Sequence, residues 1–353
     1  MEIVCRTPTY LTCKRVQQCL TTFFGTLYGK VKLKRFQAKE LQVEKFWRYD
    51  LTRSKLIVSL NRFLRGQKSL RYFDMRSSTF IISDGIKILE SIGYHSGHSL
   101  THLNITDFFH SRLTIFRISK FNDTMKHFKN LQHISMNYNC LSESVLETLA
   151  NNCSCLSTME IKVHRNDPHD HRLTGAAWKN LTKCCPEFMV QFDFASTCKY
   201  HMLTGILVPE IPLTELQIRS GFESEDEWHI PQSIHHISDS FSDSLENLKL
   251  DIDNSDQLFD MALLDLVSKC RKLKNLVVDA TFCIPTIEEI CQLQEDGKIN
   301  LKKFYATCCS ATEIDWAELL YVETRYKPML NNQGVDFRFS TDMIVDPISY
   351  SIE

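Results

Sequence analysis

The densest group of chemically competent side chains lies in VHRNDPHDH, which holds His164, Asp167, His169, Asp170 and His171. Imidazole and carboxylate groups are zinc ligands by type. The group has no cysteine at ligand spacing, however, and its Asp-Pro step reads as a turn. An inserted polar loop is the favoured reading, and no metal is expected. Cysteine is the other reactive type. Cys184–Cys185 and Cys308–Cys309 are adjacent pairs, and Cys153 and Cys155 are one residue apart. A nucleophilic thiol needs a base and an electropositive setting to lower its pKa, and no histidine neighbours any of these in the chain. Cys140, Cys153 and Cys270 instead fall where strands or helices end, which suits packed, inert thiols. The chain has no Gly-rich phosphate loop, G-x-S-x-G elbow or H-E-x-x-H helix. No catalytic residue and no cofactor is therefore expected.

Two charge runs remain. Glu223–Glu227 (ESEDE) reads as a solvated loop with some capacity to meet a basic peptide. Lys30, Lys32, Lys34 and Arg35 alternate with Val31 and Leu33, the pattern of a half-exposed strand. The formal net charge of −2 over 353 residues argues against a nucleic-acid or membrane-surface binder. No window is long and apolar enough for a membrane span, and the N-terminus lacks the order of a signal peptide. Fourteen cysteines without a C-x-x-C pair then read as free thiols of a reducing compartment. A cytoplasmic or nuclear location is expected, and the sequons at Asn104, Asn122, Asn152 and Asn180 are expected to go unused. Only 11 glycines and 9 prolines leave little room for long linkers.

The positioning elements show themselves as a repeat. In Leu131–Cys153, Leu131, Ile134 and Met136 are apolar, with His133, Ser135 and Asn137 alternating between them. From Ser142 the period becomes helical, with Val145, Leu146 and Leu149 on one face. A switch from period two to period 3.6 marks a strand–turn–helix unit. The strand template L-x-x-L-x-L, with any apolar residue at the three marked positions, recurs ten times. It matches Ala38/Leu41/Val43, Leu70/Phe73/Met75, Leu100/Leu103/Ile105, Leu131/Ile134/Met136 and Leu156/Met159/Ile161. It continues through Met189/Phe192/Phe194, Leu213/Leu216/Ile218, Leu245/Leu248/Leu250, Leu273/Leu276/Val278 and Leu301/Phe304/Ala306. Successive starts lie roughly 24 to 33 residues apart, near the leucine-rich-repeat range. A last strand carries Val335, Phe337 and Phe339.

Helices are expected between the strands. Asp84–Ile92 would start on an N-capping Asp84, with Ile86, Leu89 and Ile92 inward. Gln257–Cys270 would turn Leu258, Met261, Leu264 and Leu266 to one side. Ile287–Leu293, Asp315–Lys327 and Tyr10–Leu27 complete the set. The expected fold is an α/β leucine-rich-repeat solenoid, a horseshoe with parallel strands on its concave face and helices on its convex face. The whole chain, 1–353, is expected to form that one domain. Residues 1–36 would be an incomplete N-terminal repeat and 328–353 a C-terminal cap strand. Met1–Ile3 reads as the tail of a repeat strand, so the array would begin in mid-repeat.

Such a solenoid presents the outward strand positions as one face. Tyr72, Asp74 and Arg76 come first, then His102, Asn104 and Thr106, then His133, Ser135 and Asn137. Thr158, Glu160 and Lys162 follow, then Gln191 and Asp193, then Glu215, Gln217 and Arg219. Asn247, Lys249 and Asp251 are next, then Asn275 and Asp279, then Lys303, Tyr305 and Thr307. This polar, mixed-charge strip suits a folded protein or a peptide better than an apolar ligand. Solvation alone accounts for any single position, and the strip as a whole is the candidate binding surface.

The stretches NYNCLSESVLETLANNC (Asn137–Cys153), ISDGIKILESI (Ile82–Ile92) and SKCRKLKNL (Ser268–Leu276) resemble the repeats of F-box leucine-rich-repeat proteins. That resemblance implies a substrate-recognition module of a Skp–cullin–F-box ubiquitin ligase. The repeats would hold a protein substrate for ubiquitination, and an F-box would bind the Skp adaptor and, through it, the cullin. The family's F-box protein is not itself the catalyst. An F-box usually precedes the repeats, opens with Leu-Pro and closes near a Trp, and this chain contains no Leu-Pro. Adaptor and cullin are therefore expected as partners only with an F-box upstream, as for a truncated isoform or gene model. The alternative expectation is a leucine-rich-repeat scaffold without a ubiquitin role.

Overall fold

The computed structural model describes residues 3–4, 40–43, 53–168, 171–196, 199–220, 229–254, 257–309 and 311–341. The expected helix at Tyr10–Leu27, the basic run at Lys30–Arg35, the ESEDE run, His169 and Asp170 lie outside them. By packing the chain divides into two units, Met1–Gln191 and Phe192–Glu353, with the division inside one strand.

In the first unit, strands β1 (Ile3–Val4), β2 (Glu40–Val43), β3 (Tyr72–Asp74), β4 (His102–Ile105), β5 (His133–Asn137) and β6 (Thr158–Val163) follow one another across an open sheet. Helices alternate with them from β2 onward: α1 (Arg53–Arg65), α2 (Ile82–Ser96), α3 (Ser119–Met125), α4 (Glu143–Asn152) and α5 (Gly175–Cys184). All pairings from β2 to β6 are parallel, which requires a crossover between strands, and the helices provide it. β1 differs, pairing antiparallel with Gln42 and Val43. It runs against β2, whereas β2 to β6 all run parallel to one another; Met1 and Glu2 of the expected strand tail lie outside the described residues.

The second unit begins within β7 (Met189–Phe194). It continues through α6 (Tyr200–Ile206), β8 (Leu213–Arg219), α7 (Ile230–Phe241), β9 (Asn247–Asp251), α8 (Asp260–Lys269) and β10 (Asn275–Ala280). Then come α9 (Ile284–Glu295), β11 (Lys303–Cys308), α10 (Glu313–Asn332) and β12 (Asp336–Thr341). The pairings from β8 to β12 are again parallel and in chain order. Each unit is thus a stack of strand–helix repeats, the solenoid arrangement that the template implies.

The middle apolar position of the template sets the register. Leu41 faces Phe73, Phe73 faces Leu103, Leu103 faces Ile134, and Ile134 faces Met159. In the second unit Leu216, Leu248, Leu276, Phe304 and Phe337 align in the same way. A one-residue slip would turn each such side chain out to water. With Phe73, Leu103, Ile134 and Met159 all essentially buried, each fixes its strand by roughly 1.5–3 kcal/mol of apolar burial.

The helices correct two sequence expectations. α2 begins at Ile82, not Asp84, so Asp84 sits in the first turn, where its charge favours the helix dipole instead of capping it. α8 begins at Asp260 and buries Ala262, Leu263, Leu266 and Val267. Leu258 is 72% and Met261 77% exposed and Leu264 half-buried, so of the expected face of Gln257–Cys270 only Leu266 is fully buried. Phe259 is the residue that enters the core there, against Phe282. Two helices stop on glycines at positive φ. At Gly334 (φ 68°), Val335 N–H donates to Leu330 O (2.9 Å) and Gly334 N–H to Asn331 O (3.0 Å). Gly297 (φ 68°) ends α9 with the same pair of bonds, from Lys298 to Leu293 and from Gly297 to Gln294. This geometry satisfies carbonyls that a helix end leaves open.

Candidate protein-binding face

In the first unit the outward strand positions form columns that run across the sheet. Tyr72, His102, His133 and Thr158 are aligned strand to strand. Their spacing is close to that of the strands, so rings stack. The His102 and His133 imidazoles lie 4.3 Å apart at 24°, and Tyr72 lies 5.7 Å from His102. Thr101 Oγ1 donates to Arg71 O (3.0 Å) and sits 2.9 Å from His102 Nδ1. Burial first, and His133 second, hold the His102 pKa below the usual imidazole value.

The next column is Asp74, Asn104, Ser135 and Glu160. Asp74 is fully buried among its own neighbours. Arg76 covers it, with Nε donating to both carboxylate oxygens (3.1 and 2.9 Å) and its backbone N–H to Oδ1 (3.0 Å). Tyr72 donates its hydroxyl to Asp74 Oδ2 (3.2 Å). Burial, then the Asp74 carboxylate, push the Tyr72 pKa up, so it remains a donor. Ser135 donates to Glu160 Oε2 (2.7 Å), which leaves that carboxylate exposed on the face.

The third column carries Asn137 and Lys162, and it meets the loops that leave the strands. Asn137 Nδ2 donates to Asp107 Oδ1 (2.9 Å) and to Asp167 Oδ2 (2.8 Å). Asn137 Oδ1 accepts from Asp107 N–H (2.6 Å), and Lys162 Nζ lies 2.6 Å from Asp107 Oδ2. Asp107 adopts φ 50°, a conformation that Asp tolerates better than most residues. Burial raises the Asp167 pKa, and the Asn137 hydrogen bond opposes that rise.

In the second unit Asp193 accepts two bonds from Arg219 Nη2 (2.7 and 2.6 Å), a charge-assisted pair between outward positions of β7 and β8. Asn275 donates its side-chain amide to Asn247. Glu215 and Gln217 stand beside Asn247 and Lys249 in register, and Lys249 and Asp251 are exposed. Further along, Tyr305 gives its hydroxyl to Asp336 Oδ2 (2.6 Å) and lies 4.3 Å from Lys303 Nζ and 5.3 Å from the Arg338 guanidinium carbon. Thr307 and Ser340 hydroxyls are 3.1 Å apart.

The sequence-derived strip therefore separates into two kinds of residue. Tyr72, Arg76, His102, Asn104, His133, Glu160 and Gln191 keep surface on the sheet face of the first unit, and Asp193, Glu215, Gln217, Arg219, Asn247, Lys249 and Asp251 on that of the second. Asp74, Ser135, Asn137 and Thr158 are buried, and the first three hold neighbours in place: Asp74 holds Arg76, Ser135 holds Glu160, and Asn137 joins Asp107 and Asp167. Sequence reading missed Asp107, the anchor of the third column, because its role depends on a turn two repeats away from Asp167. It also missed Asp336 and Arg338, since only the apolar positions of the last strand were read.

The histidine-rich loop is used for packing. His171 stacks between Phe116 (3.7 Å, 17°) and Tyr138 (4.7 Å, 28°), and Asn166 N–H donates to His164 Nδ1 (3.2 Å). Among the described residues no three His, Cys, Asp or Glu side chains gather as a metal site. The described cysteines are free thiols. Cys153 donates to Phe128 O (2.8 Å), Cys185 to Cys153 O (3.1 Å) and Cys308 to Phe282 O (2.9 Å). Burial pushes the Cys153, Cys270 and Cys291 thiols up to about 12, the opposite of activation. Among the described residues no helix is long and apolar enough to cross a membrane. No family model matches the chain.

Proposed function

We propose that this chain is the substrate-recognition module of a Skp–cullin–F-box-type ubiquitin ligase, with its sheet face binding a protein substrate for ubiquitination and proteasomal degradation. One observation supports a protein ligand above others. The outward positions are neither a greasy groove nor a single-sign field, but rings and charges of both signs, several of them held by a neighbour, as Arg76 is by buried Asp74, Glu160 by Ser135 and His102 by His133. Side chains held this way lose little freedom on binding, which favours affinity for a folded surface or peptide. Mixed charge of this kind gives selectivity through complementarity. The ligase setting rests on the resemblance of NYNCLSESVLETLANNC and its companions to F-box repeat proteins. Skp adaptor and cullin join as partners where an F-box accompanies the repeats; the transfer chemistry belongs to the other subunits.

The second reading is a leucine-rich-repeat scaffold without a ubiquitin role. It is favoured by the fact that every residue of the candidate face belongs to the repeats, so binding needs nothing else.

The test is affinity capture from cells with the proteasome blocked, comparing wild type with Glu160→Lys and Lys249→Glu. Both side chains are exposed on the face. The expected result is loss of the captured protein at an unchanged melting temperature. An identical capture by wild type and both variants would overturn the sheet-face assignment. Skp and cullin captured when an F-box is joined upstream of the repeats, with a partner that accumulates when the chain is depleted, support the ligase reading. A partner whose turnover ignores the chain supports the scaffold.

A further inference from the structure

The last strand of the second unit offers an unusual edge. Among the described residues β12 pairs on one side only, with β11, and it ends the strand order. Such an edge is a template for another strand. Edges that must stay unpaired are commonly blunted by proline, a bulge or charged side chains; Val335–Asp336–Phe337–Arg338–Phe339 has no proline, β12 keeps an unbroken register with β11, and its two charges are of opposite sign, so a second copy can neutralise them.

This segment is self-complementary under a two-fold axis. In antiparallel pairing centred on Phe337, Asp336 faces Arg338 of the second copy, and Arg338 faces its Asp336. Val335 then faces Phe339, and Phe337 meets itself. Alternation puts both charges on the sheet face and all three apolar side chains on the other. The charges are also held ready. Tyr305 donates to Asp336 Oδ2 at 2.6 Å, and the Arg338 guanidinium lies over the same ring. Both residues are exposed. Opposite charges directly across two strands favour pairing, and like charges there oppose it.

The flanking helix supplies apolar area at the same end. Arg325 Nη1 lies 2.7 Å from Glu288, and Tyr326 donates to Gln292 (3.1 Å), so that side of α10 faces α9. Trp316 lies about two and a half turns before Arg325, hence on the opposite side, with Leu320 one turn further on. Trp316 is 41% and Leu320 49% exposed. The side of α10 that faces away from the repeat stack therefore carries two large apolar groups beside the open strand.

We propose that this end is a self-association surface: two copies of the chain join through antiparallel β12–β12 pairing centred on Phe337, sealed by Trp316 and Leu320 of each α10. The interface is isologous, as two-fold contacts between identical chains are. A paired module would present two substrate faces, which raises avidity for a repeated or dimeric substrate. The inference does not depend on the ligase reading.

Sedimentation equilibrium of the full chain under reducing conditions tests it, over concentrations from sub-micromolar to about a hundredfold higher. The expected result is a concentration-dependent shift from 41.1 kDa towards twice that mass. Arg338→Asp places carboxylates opposite carboxylates and is expected to weaken the dimer at least tenfold; Asp336→Arg does the same with guanidiniums. The combined Asp336→Arg/Arg338→Asp exchange restores the complement and is expected to restore the dimer. Trp316→Ala with Leu320→Ala weakens it without touching the strand. A wild-type chain that stays monomeric throughout overturns the proposal; that is the outcome if another segment or another protein covers the edge. So does a dimer indifferent to Arg338→Asp, or an exchange that fails to restore it. If a single reversal unfolds the chain by circular dichroism, the exchange and the α10 pair decide.

Discussion

Asn137 shows how a side chain on a recognition face can act without touching a partner. Its amide joins two carboxylates from loops on either side, Asp107 and Asp167, and is itself 6% exposed. Replacing it with Ala removes one donor from the buried Asp167 carboxyl and both side-chain bonds to Asp107, and lost hydrogen bonds to buried carboxylates are costly. Asn137→Ala is expected to lower unfolding stability by about 3 kcal/mol in a urea titration. A cost below about half a kcal/mol would mean that the two loops are held elsewhere. His102 makes a different point. Its folded-state pKa lies below the unfolded value, so the folded chain takes up that proton less readily. Stability is therefore unaffected above the unfolded value near ~6.5 and falls as pH drops from there to the folded value. In an NMR titration His102 is expected to titrate below an exposed histidine, and His133→Gln to move it upward. A His102 pKa unchanged by that substitution would remove His133 as a cause and leave burial alone.

At the scale of the element, the repeat is a strand that sets register and a helix that seals it. α4 is the clearest case. Ser142 caps it by accepting from Val145 N–H (3.2 Å), and Val145, Leu146 and Leu149 go inward. Cys153 closes the helix by donating to Phe128 O in the preceding repeat. Leu146 is fully buried. Leu146→Ala is expected to cost about 2–5 kcal/mol, read as a lower urea midpoint at unchanged slope. A near-zero change would show that the repeats relax into the space left. α10 is capped at both ends. The Thr312 and Asp315 side chains bond reciprocally at its start, and Gly334 closes its end. The Thr312 backbone N–H, then its hydroxyl, hold the Asp315 carboxyl below the usual range, so this cap weakens only as pH falls through that lowered value.

At the scale of the whole molecule, each unit is a chain of nearest-neighbour contacts, so its faces grow with the number of repeats and not with a single core. The same principle makes the ends different from the middle. An inner strand gives its hydrogen bonds to two neighbours, whereas β12 has one among the described residues, and the two-fold pairing inferred above addresses that end. The fold class was legible in the sequence because one spacing, L-x-x-L-x-L, both directs side chains inward and sets the pitch of repetition. The ten matches predicted which apolar residues would align across strands, and Phe73, Leu103, Ile134 and Met159 do so. Outward positions were legible for the same reason: they are what alternation leaves over. The face of α8 was not. Leu258 and Met261 fit a helical stripe as well as Phe259 and Leu263, and only the entry angle of the loop chooses between them. Nor could sequence separate residues that display from residues that support. Asp74 and Glu160 read alike, yet Arg76 and Tyr72 close over one while Ser135 holds the other outward. Alternation and spacing are local properties of the chain, so they fixed the repeat and its inward side. The stacking of His102 on His133, the meeting of Asp107, Asn137 and Asp167, and the bond from Tyr305 to Asp336 join residues of different repeats. Those were decided only by tertiary structure, because strand-to-strand distance, not sequence distance, determines which side chains meet.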